Sequence, residues 1–429
     1  MKTIIPPVKG TRDFYPDEMA IRNWLYANAR KISEAFGYQE YDAPFLESID
    51  LYAAKSGEEL VKEQSFVFAD RGGDLITLRP ELTPSLTRMV AQRQKQLVYP
   101  VRWWSWGPFW RYERPQKGRA REFFQWNIDL FGADTPEADA ELVAIACAYL
   151  KEVGLTPNEV MLLVNNRRLI DSQLSELGIE SGLRPGISRW IDRRNKLNPT
   201  DWQAYGVELG LSSQQMEQIT GFLNDASLWQ KSEELVRFFS AMEALGFAKY
   251  VRYDPNIVRG LDYYTGIVFE AVELQGDVRR SILGGGRYDN LLSDVGGEPL
   301  PGVGFAMGDM VISLLLQKYD CVPLEIYRTP APVIVTIFDE ALLLESFKLA
   351  AELRNSGLNV TCYPEQARLG KQFKFADRIG IILAAVLGPD EVRNGMVAIK
   401  NLKTGEQFTI PRQNAAPMLQ EMLEKPSAP

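Results

Sequence analysis

The sequence predicts an α+β domain on a mainly antiparallel sheet, interrupted by a helical insertion and followed by a smaller α/β domain. Three observations carry that expectation. Strand-like segments from Val251 to Leu283 follow one another without intervening helices, which is an antiparallel pattern. Residues 172–246 hold only short helical patterns broken by Gly and Pro. After residue 327 the order becomes strand, helix, strand, helix, strand, which implies parallel strands joined by crossovers. At 429 residues the chain also exceeds what one hydrophobic core usually organises. The expected boundaries are 1–171 and 247–326 for the two parts of the first domain, 172–246 for the insertion and 327–429 for the last domain.

The elements follow in order. Ile21, Trp24, Leu25, Ile32 and Phe36 recur at helical spacing within residues 17–36, and Gly37 supplies the stop. A strand is expected over 38–46, with Pro44 placing it at an edge or interface, because proline cannot donate to a ladder. The segments flanking residues 114–118 read as the two strands of a hairpin. Thr135, Pro136 and the acids Glu137, Asp139 and Glu141 mark a helix start by cap, proline and dipole, and Gly154 ends that helix after about Val153. Gly284, Gly285 and Gly286 read as a turn after a strand at 281–283. Further on, strands are expected at 333–337, 358–362 and 381–387, helices at 340–356 and 366–378, a hairpin around 403–406, and a frayed tail at 425–429.

Composition removes whole classes of function. The net charge of -8 argues against indiscriminate nucleic-acid binding, which needs a broad basic surface. It leaves room for a specific RNA met by a local patch such as Arg368, Lys371, Lys374 and Arg378. The apolar run 379–387 falls short of the roughly 20 residues a membrane span needs, and residues 1–8 lack the length of a targeting peptide. The expected location is the cytoplasm. Cys147, Cys321 and Cys362 are scattered in no paired spacing, so a disulfide framework and a thiolate metal site are both disfavoured. There is no histidine, which excludes every mechanism built on a side-chain imidazole. Chemistry must rest on Arg, Lys, carboxylates, Tyr or the substrates themselves.

The densest chemistry lies between Phe109 and Asp129, where five cations and three acids alternate with aromatics. A hairpin here points Arg111 and Arg121 into one cleft, an anion clamp suited to a polyphosphate. Arg111 and Arg259 could bracket one phosphate; the alternative is two unrelated structural ion pairs. On a strand, Gln125, Asn127 and Asp129 share a face, so a pocket with an amide and a carboxylate is possible. Glu81 and Thr83 sit in a polar turn after a strand, where such residues are commonly caps. Gly284 to Asp289 lacks the Lys and Ser or Thr of a phosphate loop, and Gly302 to Gly308 lacks the later acid of a dinucleotide fingerprint.

Together these residues resemble the histidyl-tRNA synthetases of the class II aminoacyl-tRNA synthetase family. The resemblance rests on Lys9-Gly10-Thr11-Arg12-Asp13, Leu78-Arg79-Pro80-Glu81, the stretch from Arg111 to Asp129, Arg259 to Thr265, Gly284 to Asn290, and, in the C-terminal part, Leu369 to Asp377. It implies a class II catalytic domain with a C-terminal anticodon-binding domain, and ligation of L-histidine to its tRNA through a histidyl-adenylate. ATP with Mg2+ would be a substrate, with no tightly bound cofactor and no resident metal. The partners would be the histidine tRNA and a second copy in a homodimer, with no membrane.

The resemblance also assigns roles. Arg111 would hold the ATP α-phosphate and the amino-acid carboxylate, Glu113 and Phe123 the adenine, and Arg119 and Arg121 the phosphates and the tRNA acceptor end. Glu81 and Thr83 would bind the α-amino group, and Gln125 would help place the amino acid. Asp129, Tyr263 and Tyr264 would read the imidazole nitrogens, with Tyr288 lining the pocket and Arg259 as the catalytic arginine. The chain departs from the family at Val311, where Gly308-Asp309-Met310-Val311 replaces a Gly-x-Glu-Arg ending, and also at Phe124 and Asp129. The alternative implied by the lost arginine is a non-catalytic, histidine-sensing paralogue of the ATP phosphoribosyltransferase regulatory-subunit type.

Overall fold

The structure, a computed structural model, describes residues 4–53, 64–194, 196–258, 263–278 and 280–424. The frayed tail expected at 425–429 lies outside the described residues. The chain divides into two compact units, Met1–Val322 and Pro323–Pro429.

The first unit begins with α1 (Pro16–Ala35), which has Pro at its start, Asp17 and Glu18 in its first turn, and Gly37 at φ +81° beyond its end. The strand expected over 38–46 divides instead into β1 (Gln39–Glu40) and β2 (Leu46–Ser48), which belong to different sheets. The physical reason is buried Arg79, whose Nη1 donates to the Ala43 carbonyl at 2.8 Å, an acceptor a ladder would need, and to the Asp42 carboxylate at 2.7 Å. After α2 (Asp50–Ala53), the small sheet is completed by β3 (Phe66–Ala69) and β4 (Leu75–Leu78), in the order β2-β4-β3. Helix α3 (Thr83–Arg93) follows.

The large sheet takes β5 (Val101–Trp110), β6 (Glu122–Phe131), β7 (Val160–Asn166), β8 (Val251–Tyr253), β9 (Ile267–Glu273), β10 (Leu283–Tyr288) and β11 (Gly302–Gly308). Its order is β1-β5-β6-β11-β10-β9-β7-β8, antiparallel except at the β1–β5 and β7–β8 edges. Helix α4 (Pro136–Glu152) starts as the sequence indicates, with the Thr135 side chain accepting from the Ala138 amide. One sheet face packs on α1 and α4 through Trp104, Trp126 and Ile128, and the Trp126 indole donates to Ser33 on α1 at 3.2 Å. Between β7 and β8 the chain is helical, with α5 (Arg167–Glu176), α6 (Arg184–Asp192), α7 (Pro199–Glu208), α8 (Ser213–Leu223) and α9 (Glu233–Ala244). Trp190 and Trp202 stack there at 4.1 Å, each indole donating to the other's backbone carbonyl. The unit closes with α10 (Leu291–Asp294) and α11 (Asp309–Lys318).

A second expectation is overturned. Gly284, Gly285 and Gly286 form no turn: they are the middle of β10, paired on both sides with β9 and β11. A Cβ on Gly285 would stand 2.2 Å from the Gly304 carbonyl oxygen and 2.8 Å from Phe269. The missing side chains let aromatic neighbours fill the layer, the strand use of glycine that comes with close approach.

The second unit has β12 (Val333–Ile337), α12 (Leu343–Asn355), β13 (Val360–Cys362), α13 (Leu369–Arg378), β14 (Leu383–Leu387), α14 (Pro389–Asn394), β15 (Met396–Asn401), β16 (Gln407–Pro411) and α15 (Ala415–Glu424). β12 is parallel to β13 and β14, as the strand-helix alternation requires, and the hairpin around residue 404 adds β15 and β16 antiparallel. Buried Gln372 seats α13 on β12 by bonding both the amide and the carbonyl of Ile337, at 2.9 and 2.7 Å. Arg368, Lys371, Lys374 and Arg378 remain exposed.

Arg287 on β10 ties the sheet to the start of α4. Its guanidinium bonds both oxygens of Asp139, at 2.7 and 3.1 Å, and the carbonyls of Ala133 and Thr135. Both side chains are buried, so removing one partner leaves a charge without compensation. Arg287→Met is expected to lower stability by about 3–5 kcal/mol in urea unfolding; a loss under about 1 kcal/mol would mean the pair is not what joins these elements.

Candidate functional site

The other face of the large sheet carries the sequence's candidate chemistry. Because side chains alternate along β6, Trp126, Ile128 and Leu130 enter the core while Gln125, Asn127 and Asp129 face away from it. Their cross-strand partners on that face are Gly107, Ser105 and Trp103 from β5, and Gly308, Ala306 and Gly304 from β11. Five of those six are small. The strand centre is thereby left as a trough floored by short side chains.

At one end of the trough Asp129 is buried, 4% exposed. Its carboxylate lies over Gly304, where a Cβ would stand 2.1 Å from Oδ1. The Tyr288 hydroxyl donates to the same oxygen. Loss of hydration pushes the Asp129 carboxyl up to about 7, the Tyr288 hydrogen bond only partly opposing it. Burial and this carboxylate push Tyr288 far above the ordinary phenol range. Tyr263 packs against both Tyr264, at 4.8 Å, and Tyr288, at 6.1 Å. Gly302 and Gly286 make the room for this, since Cβ atoms there would stand 2.6 Å from Tyr288 and 2.8 Å from Tyr264. Asp129, Tyr263, Tyr264 and Tyr288 are thus brought together.

The hairpin forms the other end. The Arg111 guanidinium stands 5.4 Å from the Phe123 ring, and its Nε donates to the Pro80 carbonyl at 2.9 Å. Glu113 forms an ion pair with Arg119, and its carbonyl accepts from Arg121 at 3.2 Å. Arg121 also stacks on Tyr112, 4.0 Å from the ring centre. The turn before α3 lies along the same hairpin: Arg79 donates to the Pro108 carbonyl at 3.0 Å and accepts from the Trp110 amide at 3.1 Å. Glu81 and Thr83 follow it, Thr83 as the first residue of α3 and Glu81 receiving the Tyr52 hydroxyl on its carbonyl at 3.3 Å. Arg111, Glu113, Arg119, Arg121 and Phe123 are therefore grouped, with Gln125 half-buried between them and Asp129. Arg259 lies outside the described residues.

Three more residues stand beside the site: strand alternation had placed Asn127 there and the motif before Glu81 contained Arg79, whereas the sequence had not singled out Tyr41. Arg79 is fully buried, and its Nη2 lies over Gly107, the partner of Gln125, without a hydrogen-bond partner among the described residues. Tyr41 is half-buried, its hydroxyl is enclosed without a hydrogen-bond partner among the described residues, and Asp129 is among the charges that raise its pKa. Asn127 holds a buried amide nitrogen with no hydrogen-bond partner among the described residues. The motif Leu78-Arg79-Pro80-Glu81 contained Arg79 without giving it a role; nothing in the local pattern marked Tyr41.

The departure at Gly308 to Val311 has a structural side. Asp309 accepts from Arg12 at 2.8 Å and from the Phe124 amide at 2.9 Å, fixing the root of the hairpin to the start of α11. Val311 is buried in the core.

Residues 10–310 match the family model described as histidyl-tRNA synthetase, and residues 332–422 match the anticodon binding domain. A histidine–tRNA ligase of Leptospira biflexa serovar Patoc is 34% identical over 428 residues, covering 97% of this chain and 98% of that protein. The crystal structure of histidyl-tRNA synthetase from Nostoc sp. PCC 7120 superposes with a TM-score of 0.82 at 25% identity, over 98% of this chain and all of that one. A protein of Bacillus halodurans C described as an ATP phosphoribosyltransferase regulatory subunit/histidyl-tRNA synthetase shares the fold, with a TM-score of 0.71 at 23% identity over 87% of this chain and 97% of that one.

The dry environment of Asp129 has a measurable consequence without any ligand. The folded protein binds this proton more tightly than the unfolded chain, so stability falls as pH rises from about 4 to about 7, and the full penalty applies above that. Asp129→Asn removes the charge and keeps an acceptor for Tyr288. It is expected to stabilise the protein more at pH 8 than at pH 5, by about 2–3 kcal/mol in urea unfolding; an equal effect at both pH values would contradict the burial of the charge.

Proposed function

Because the chain belongs to the histidyl-tRNA synthetase family, we propose that it joins L-histidine to its tRNA in two steps, through a histidyl-adenylate made from ATP. The observation that carries the reading is β6, which offers a buried carboxylate among tyrosines at one end and an arginine-rich hairpin at the other. An amino acid and a nucleotide can lie end to end along such a strand.

In the first step a carboxylate oxygen of histidine attacks the α-phosphorus of ATP. The new P–O bond forms as the bond to the β-phosphate oxygen breaks, and pyrophosphate leaves with its Mg2+. Arg111 and Arg259 are assigned to the α-phosphate, where fixed guanidinium charge favours the developing transition state. Phe123 and Glu113 are assigned to adenine, and Arg119 and Arg121 to the phosphates and the acceptor end. In the second step the terminal ribose hydroxyl of the tRNA attacks the activated carbonyl and AMP departs. No side-chain nucleophile is needed, which suits a chain without histidine.

Selectivity is assigned to Asp129, with Tyr263, Tyr264 and Tyr288. An imidazole N–H donating to Asp129 stabilises the carboxylate that burial disfavours, and an amino acid without ring nitrogens leaves that group unpaired. Glu81 and Thr83 are assigned to the α-amino group and Gln125 to placing the amino acid. The exposed basic face of α13 is assigned to tRNA, and the active form to a homodimer in the cytoplasm. A histidine-sensing paralogue without catalysis is the second reading, favoured by Val311 alone; the C-terminal match to an anticodon-binding domain favours the ligase.

ATP–pyrophosphate exchange tests the proposal. Histidine is expected to support exchange at least about a hundredfold better than any other amino acid, the discrimination of a site built on hydrogen bonds to its substrate. Histidine binding without exchange would transfer the protein to the sensor reading. Arg259→Ala is expected to leave histidine affinity within about twofold and to lower the adenylation rate at least about a hundredfold, the scale of losing one transition-state donor. Adenylation near the wild-type rate would remove Arg259 from the mechanism.

A further inference from the structure

Val311 stands where the family's third motif ordinarily carries an arginine, yet a cation from another loop reaches the same place. The β9–β10 loop, residues 274–282, ends beside the start of α11, because Leu283 pairs with Met307. Arg280 lies on that loop. A Cβ built on Gly118, in the hairpin, would stand 3.3 Å from Arg280 Cδ, 3.7 Å from Val311 Cγ2 and 3.8 Å from Leu314 Cδ1. Gly118 has φ +76° and no side chain, so it leaves the room that the arginine stem occupies. The hairpin, the stem of Arg280 and the side chain of Val311 therefore meet at one point.

The charge around Arg280 favours an incoming anion. Burial, then repulsion from Arg119, holds its guanidinium below the ordinary arginine range, and Glu113 opposes them. The Glu113 carboxylate is already paired with Arg119. Among the described residues Arg280 makes no ion pair, so two cations share one carboxylate. A planar fork beside a second guanidinium matches the oxygens of a phosphate. Arg111 stands at the start of the loop against Pro80, whereas Gly118 lies seven residues further on. A triphosphate whose first phosphate is held at Arg111 presents its far end to Arg280.

We propose that Arg280 binds the terminal phosphates of ATP and supplies, from the β9–β10 loop, the contact that Val311 cannot make. The inference rests on the reading of the hairpin as an ATP site. Arg280 is half-buried in a loop, so its replacement is compatible with folding. The test compares wild type, Arg280→Ala and Arg280→Lys by equilibrium binding of ATP and of AMP, and by the KM values for ATP and histidine in pyrophosphate exchange. For Arg280→Ala the expected result is an ATP KM raised at least about tenfold, an ATP-over-AMP preference reduced by a similar factor, and unchanged AMP affinity and histidine KM; Arg280→Lys recovers part of the loss. An unchanged ATP KM, or equal losses for ATP and AMP, overturns the assignment while the ligase reading stands. A wild-type protein that binds no ATP overturns both.

Discussion

Asp129 holds a carboxylate almost entirely out of contact with water, and its neighbours on the sheet are arranged around that fact. A carboxylate so placed is disfavoured as an ion, and among the described residues its one hydrogen bond is with Tyr288. Gly304 gives it the space it occupies. Tyr288 in turn is held by Gly302 and by the edge contact with Phe131. A buried polar pair of this kind is weak evidence for stability and good evidence for a binding surface, because the missing partner is what a ligand supplies.

Keeping that pair in register requires support from behind the sheet. Arg287 precedes Tyr288 on β10 and points to the opposite face, where Asp139 and two carbonyls at the start of α4 fix it. Thr135 caps the same helix. One strand thus carries an anchoring cation on one face and, on the other, the phenol that donates to Asp129. At the far end, Asp309 performs a similar service by joining Arg12, the root of the hairpin and the start of α11. With valine at position 311, Asp309 still fixes the local architecture at the start of α11, and in the proposed ATP site the polyphosphate end depends on cations outside α11.

Much of the fold was legible because periodicity and caps were unambiguous: α1, α4 and the strand-helix alternation of the second unit fall close to where the residues place them. The hairpin and the common face of Gln125, Asn127 and Asp129 were legible for the same reason, since alternation on a strand is a geometric rule. Two elements were not. Glycines at 284–286 look like turn residues, and only their tertiary neighbours, Phe269, Phe305 and Tyr264, explain a strand made of them. The segment containing Pro44 reads as one strand, but buried Arg79 diverts its backbone groups. Tyr41 and Arg280 escaped notice because each joins the site through contacts distant in sequence.

The central claim, that the Asp129–Tyr288 pair recognises the imidazole ring, is tested most directly by calorimetric titration of histidine into wild type and Asp129→Asn. The expected result is an affinity loss of at least about a hundredfold for the variant, the scale of leaving a buried partner unmatched in a hydrogen-bonding site. ATP affinity is expected to stay the same in both proteins. Histidine binding of equal strength in the two would contradict the account.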